Sequence, residues 1–194
     1  EAGAKLIGKG WDDADAAVGD DDDTGPQACP MGMVVVGGLF CMDVHEASKP
    51  DATAGSFGSD TSMAVSQPGV LPWPVTSNQQ ADQACQDAGK RLCSPDEWTT
   101  ACIGPGGTDY PYGNTYEPQT CNGIDTYCTC QDGSFYEDCY WDCGADFHLT
   151  TTGELPGCTN GYGVYDISGN LWEHIQGGDS TTVRGGAYNC AHSN

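Results

Sequence analysis

Toward the end of the chain, Asp166, Gly169, Asn170, Leu171 and Glu173 bring two carboxylates and a Gly-Asn turn into a short run. Oxygen donors of this kind suit a hard cation, because carboxylates offset the charge of calcium and a turn exposes backbone carbonyls. The competing reading is structural: Asn170 and Glu173 cap a tight turn while Trp172 packs. Sulfur offers a second chemistry. Cys128, Cys130, Cys139 and Cys143 lie close together, but CxC and CxxxC are not common structural-zinc spacings, so disulfide staples are preferred. His45, His148, His174 and His192 are scattered without HxxxH or HExxH spacing. The pairs His45-Glu46 and Glu173-His174 would diverge on a strand, and each histidine reads better as a surface or hydrogen-bonded residue than as a ligand. No phosphate-cradling glycine motif and no Ser-His-Asp arrangement is present.

These residues need elements to hold them. Residues 1–28, with Asp12, Asp13, Asp15 and Asp20 through Asp23, read as an acidic flexible arm or linker with little to bury. Met33 to Phe40 is a β-branched run that reads as the first strand, bent at Gly37-Gly38. Residues 50–74 read as a long loop. Thr76 or Ser77 can cap a helix whose Ala81, Ala84, Cys85 and Ala88 share a face, with Gly89 as its stop. Ser94-Pro95-Asp96-Glu97 is a capping box that predicts a second helix from Pro95 to about Ile103, Trp98 and Cys102 facing the core together. Residues 104–160 read as irregular chain, held by cross-links because it has little core of its own. Tyr110, Tyr112, Tyr116, Tyr136, Tyr140 and Trp141 there are either an aromatic contact surface or loop-core filling.

A chain of 194 residues can bury one core and is short for two ordinary domains. With 28 acidic and 6 basic residues the formal charge is −22, which argues against nucleic acid and anionic membrane as partners. Twelve scattered cysteines, an even number, read as a disulfide framework in an oxidising compartment. No signal peptide or long apolar run precedes them. The expectation is a mature extracellular, periplasmic or outer-surface form without direct membrane insertion.

Four ordered blocks add a family. Gly37–Ser48 is similar to an opening "GxFxMDxxEVT", Gly89–Trp98 to "GxRLPTEAEWE", and Tyr110–Asn114 to "YPWGN". The run from Gly161 to Glu173, followed by Val183–Tyr188, is similar to "NGYGLYDMxGNVWEW" and "RGGSW". From about Met31 to Tyr188 the chain thus resembles the formylglycine-generating, or sulfatase-modifying-factor, family. The resemblance implies an α+β, C-type-lectin-like fold over residues 29–194: two helices on short twisted antiparallel strands, loop-rich and disulfide-stapled, without the family's closing C-terminal strand. It implies calcium held by the carboxylates of Asp166 and Glu173 and the carbonyls of Gly169 and Leu171, with Asn170 in the same turn. Asn122, Gly123 and Asp125 stand roughly where some relatives begin a second calcium site.

In the family's oxidases a "GGSYxCxxxxC" stretch supplies two thiolates to Cu(I), and the copper activates dioxygen to oxidise a peptide cysteine to formylglycine. Cys190 matches the first thiolate. The active-site serine is Ala187 here, and the second cysteine would fall beyond Asn194. The expectation is therefore an extracellular or cell-surface non-catalytic binding or structural module on a calcium-stabilised scaffold, taking a protein or glycan ligand or copies of itself. Two alternatives remain: a structural subunit of an extracellular assembly or filament, which an open strand edge would suit, and a copper-dependent oxidase.

Overall fold

A computed structural model describes residues 2–4, 6–8, 28–127, 148–179 and 182–188. The elements run β1 (Ala2–Ala4), β2 (Leu6–Gly8), β3 (Met33–Val36), β4 (Phe40–Asp43), β5 (Ala47–Ser48), β6 (Val65–Ser66), α1 (Asn78–Asp87), β7 (Lys90–Leu92), α2 (Pro95–Ile103), α3 (Ile124–Tyr127), β8 (Trp172–His174) and β9 (Val183–Arg184). The architecture is mixed, with two substantial helices on short, mostly antiparallel strands, as expected for the family fold.

Three small sheets carry it. One has the order β3-β4-β2-β7, another β1-β8-β9, and β5 pairs with β6. All pairings are antiparallel except β1 against β8, which aligns Ala2 with Trp172 and Ala4 with His174. The reading of residues 1–28 as an arm therefore needs revision at its start. Ala2–Ala4 and Leu6–Gly8 are paired strands, three residues each and too short for a periodic signal. The acidic run of residues 9–27 lies outside the described residues.

The glycine pair also does more than bend a strand. Gly37 and Gly38 take φ of 60° and 74°, conformations open to glycine and costly for residues with a Cβ. Leu39 N–H donates to the Val36 carbonyl, and the chain reverses into a hairpin that places Val36 opposite Phe40 and Met33 opposite Asp43. The disulfide Cys29–Cys41 fastens this hairpin.

Both helices begin where the sequence places them. Ser77 caps α1 by accepting from Gln80 N–H. In α2, Ser94 and Glu97 make the reciprocal capping box, with Pro95 in the first turn. Ala81, Ala84 and Cys85 of α1 are buried against Trp73, Val75 and Leu92. Trp98 and Ala101 of α2 are buried against Val36, Met42, Val164 and Ile167, with Cys102 half-buried beside them. Asn160 joins α2 to the irregular chain by donating from Nδ2 to the Ala101 carbonyl at 2.6 Å.

A second disulfide, Cys121–Cys158, spans 37 residues of the loop-rich stretch. Closing a loop of that length contributes about 4 kcal/mol on the chain-entropy estimate. The cysteines do not all pair. Cys85, Cys93 and Cys102 are thiols, sheltered in or against the core by the packing of α1, β7 and α2. Cys128, Cys130, Cys139, Cys143 and Cys190 lie outside the described residues, as do Tyr136, Tyr140 and Trp141.

Candidate functional site

The run from Asp166 to Glu173 is built around two residues in the left-handed region, Asp166 at φ 53° and Asn170 at φ 58°. Short polar side chains tolerate that conformation better than most, because they bond locally. Asn170 is fully buried, and its amide joins three distant segments. Its Nδ2 donates to Glu46 Oε2 at 2.5 Å and to the Thr150 carbonyl at 3.3 Å. Its Oδ1 accepts from Thr150 N–H and Thr150 Oγ1, each at 3.0 Å, and from Asn122 Nδ2 at 2.9 Å. Leu171 N–H completes the clasp by donating to Glu46 Oε1 at 3.1 Å. Asn170 N–H also donates to the Asn122 carbonyl at 2.8 Å, so the two oxygen-rich sets singled out in the sequence meet in two hydrogen bonds between Asn122 and Asn170.

The other members are placed as follows. Asp166 accepts the Gly153 N–H at 2.6 Å. Glu173, fully buried on β8, accepts from the indole N–H of Trp98. Gly169 N–H donates to the Gly185 carbonyl. Gly123 N–H donates to the Cys121 carbonyl and to Thr126 Oγ1. The side chain of Asp125 lies outside the described residues. His45 and Glu46 lie between β4 and β5 and not on a strand, yet they diverge: His45 stacks on Tyr165 with ring centroids 5.3 Å apart, and Glu46 is buried. His174 is buried, its Nε2 3.4 Å from the Val75 carbonyl, and burial holds its pKa below the ordinary histidine value.

The donor chemistry fits calcium only in part. No group of three or more His, Cys, Asp or Glu gathers for a metal among the described residues. The Asn170 amide is saturated by protein groups, so its side chain does not fit as a ligand. Glu173 and the backbone carbonyls of Gly169 and Leu171 are hard oxygens of the right kind. Asn122 Oδ1 is buried and has no hydrogen-bond partner among the described residues, which a hard cation would satisfy.

Beside this clasp lies a cleft of about 380 Å³. One wall is aromatic: Tyr110 stacks on Tyr112 with centroids 5.5 Å apart, and Tyr116 tilts against Tyr110 at 5.6 Å. Arg184 of β9 and the turn after it, Gly185, Gly186 and Ala187, also line the space, as do Trp98, Cys102 and Trp172. Asp109 and Glu117 are exposed lining residues. Gly185, at φ 88°, is fixed by its neighbours: a Cβ there would sit 3.0 Å from the Ile167 carbonyl and 3.5 Å from the Trp98 ring. Burial, with the charge of Glu173 adding to it, pushes the Cys102 thiol up to about 12. Burial likewise raises the Tyr112 phenol.

Sequence reasoning did not single out Thr150; it weighed Glu46 only beside His45, and it met Arg184 only as a member of the Val183–Tyr188 block. Glu46 carried a weak signal, one of two carboxylates in the Gly37–Ser48 block. Arg184 stood in the Val183–Tyr188 block with no role assigned, since partnership between charges is a property of the folded chain. Ala187 is buried and lines the cleft. Cys190 lies outside the described residues.

Residues 42–192 match the Sulfatase-modifying factor enzyme 1-like domain. An 89-residue stretch is 36% identical to a protein described as a formylglycine-generating enzyme from Thermomonospora curvata, a match covering 44% of this chain and 26% of that enzyme. The chain thus spans about a quarter of the length of the curated relative it matches. The domain match reaches from β4 past the β9 turn and takes in the Glu46–Asn170 clasp and most of the cleft. By that extent, the chain belongs to the sulfatase-modifying factor enzyme 1-like domain family.

Proposed function

We propose that this chain is a non-catalytic binding module of its family, which seats a peptide or comparable ligand in the cleft between the tyrosine wall and the β9 turn. The observation that carries the reading is Ala187, buried at the cleft where the resemblance places the oxidases' active-site serine. A methyl group offers neither the hydroxyl donor nor the acceptor that serine would bring to the reaction. Aromatic side chains together with backbone polar groups are the usual furnishings of a ligand cleft.

The relative's name favours a second reading, a copper-dependent oxidase acting on a peptide cysteine. Cu(I) in that chemistry takes two thiolates. Among the described residues, Cys102 is the thiol that lines the cleft, and burial keeps it protonated. The described residues therefore do not fit copper.

Calcium serves in this proposal as a stabiliser, with Glu173, the carbonyls of Gly169 and Leu171, and Asn122 Oδ1 as its donors. The orphaned Asn122 oxygen supports that assignment. The two disulfides support an oxidising compartment, and hence an extracellular or surface setting.

The test of the main reading uses one cysteine-containing peptide in two assays. Incubated in air with the copper-loaded protein, the peptide should keep its thiol, as read by mass spectrometry. The same peptide should change the tryptophan fluorescence saturably in the wild type and not in Tyr110→Ala. Conversion of the cysteine to an aldehyde would overturn the non-catalytic reading. Absence of saturable binding for a panel of such peptides would overturn the cleft assignment.

A further inference from the structure

Of the six Lys and Arg residues in this chain, Lys5 and Lys9 lie outside the residues whose side chains are described, and four can be followed. Three have engaged charges. Lys90 pairs with Asp43 at 2.7 Å, and Arg91 pairs with Glu97 at 2.6 Å. Lys49 donates to the Gly58 carbonyl at 3.0 Å and stands 5.6 Å from the centroid of the Trp73 ring. Arg184 is different. Its hydrogen bond is a long one, 3.4 Å, to the carbonyl of its own neighbour Val183, and no carboxylate among the described residues lies within ion-pair distance. Among the described acidic residues, none pairs with this arginine.

Its position explains why. Arg184 is half-buried on β9 and lines the cleft. Across the sheet it faces Glu173, whose carboxylate accepts from the Trp98 indole. On the lining, Glu117 accepts from Thr120 Oγ1, and the Asp109 side chain is exposed. The backbone that carries Arg184 leads directly into Gly185, which close packing on Ile167 and Trp98 holds in place.

We propose that Arg184 anchors a carboxylate of the ligand in this cleft, with the Tyr110-Tyr112-Tyr116 wall receiving the aromatic or apolar group beside it. The inference rests on the cleft being a binding site, as argued above. A guanidinium presents a planar fork of donors that matches a carboxylate in two parallel hydrogen bonds. In a partly desolvated cleft such bonds are stronger than in water. The formal charge of −22 repels polyanions at long range, so the ligand that reaches Arg184 carries an isolated carboxylate and not a run of negative charge.

The probes are N-acetyltyrosine, which has both a ring and a carboxylate, and N-acetyltyrosinamide, which lacks the charge. Each is titrated into the ¹⁵N-labelled full chain while the amide signals of Gly185, Gly186 and Ala187 are followed. The acid should bind about tenfold or more tightly than the amide, the discrimination expected of a charge-assisted bond. Arg184→Gln should abolish the preference while leaving the weaker amide affinity, and Arg184→Lys should retain part of it. Equal affinities in the wild type would overturn the anchor and leave the cleft reading standing. A preference that survives in Arg184→Gln would also overturn the anchor. If neither probe shifts a cleft signal, the anchor falls and the cleft reading falls with it. The acid–amide comparison in the wild type decides the question even if a variant does not fold.

Discussion

Replacing Asn170 tests whether the clasp holds the fold together. Asn170→Ala removes the donor to Glu46 Oε2 and the acceptor used by Thr150 and Asn122, all in a fully buried site. Losing a hydrogen bond to a buried carboxylate costs about 1.5–3 kcal/mol, and a stranded buried donor about 1–3 kcal/mol. Alanine at φ 58° adds about 1 kcal/mol. Allowing for relaxation, the loss should be about 4–6 kcal/mol, a large part of the 5–15 kcal/mol that typically separates folded from unfolded chains. Urea unfolding followed by tryptophan fluorescence, without reductant, reads it directly. Asn170→Asp sharpens the test. It keeps the acceptor but sets a carboxylate oxygen where the amide stands 2.5 Å from Glu46 Oε2. Two such groups cannot both ionise, so the variant should be weak at neutral pH and regain stability as the pair takes up a proton. Combining it with Glu46→Gln restores a donor facing an acceptor and should recover much of the loss. An Asn170→Ala protein within 1 kcal/mol of the wild type would refute the reasoning, as would an Asn170→Asp protein with unaltered pH dependence.

Three further outcomes are expected. Removing the Cys121–Cys158 bridge by paired serine substitutions should lower stability by about 4 kcal/mol on the loop-entropy estimate, measured by the same urea titration. Cys102, with its thiol pushed from an ordinary 9.0 to about 12, should hold about a thousandfold less thiolate at pH 8 than an unburied cysteine; peptide mass mapping after brief alkylation should find it modified only when the protein is first unfolded. The Arg91 guanidinium holds the Glu97 carboxyl below its ordinary 4.5. The stability that Glu97 carries is therefore fully present above about pH 4.5 and is lost as pH falls through the lower folded value. Arg91→Gln should flatten that part of the acid-unfolding curve, and an unchanged acid limb would count against the pair.

Sequence reading succeeded where the determinants were local. Ser77, the Ser94–Glu97 capping box and Gly89 each act within one helical turn, and both main helices follow them. The Asp166–Glu173 run stood out because its residue types are unusual side by side. Its partners did not, because Glu46 is 124 residues away from Asn170 and Thr150 is 20 away. Side-chain hydrogen bonds across such separations leave no period in the sequence. The hairpin at Gly37-Gly38 was read as a bend because only three residues separate its strands, and strands this short carry two alternations at most. Which cysteines pair and, among the described residues, which arginine lacks a carboxylate depend on which surfaces the fold brings together.

The first strand of this chain pairs with one of its last: Ala2 lies beside Trp172, and Leu6–Gly8 fills the place between β4 and β7. A nascent chain emerging from a ribosome, or threading through a translocon, meets these partners in reverse order of convenience. Ala2–Ala4 has no β8 to pair with until residues 172–174 have been made, and closing so long a loop costs about 4–5 kcal/mol before that pairing is repaid. The β1–β8 pairing should therefore form late in folding. Arrested nascent chains ending before Trp172 should remain protease-sensitive, and those exposing residue 188 should become resistant.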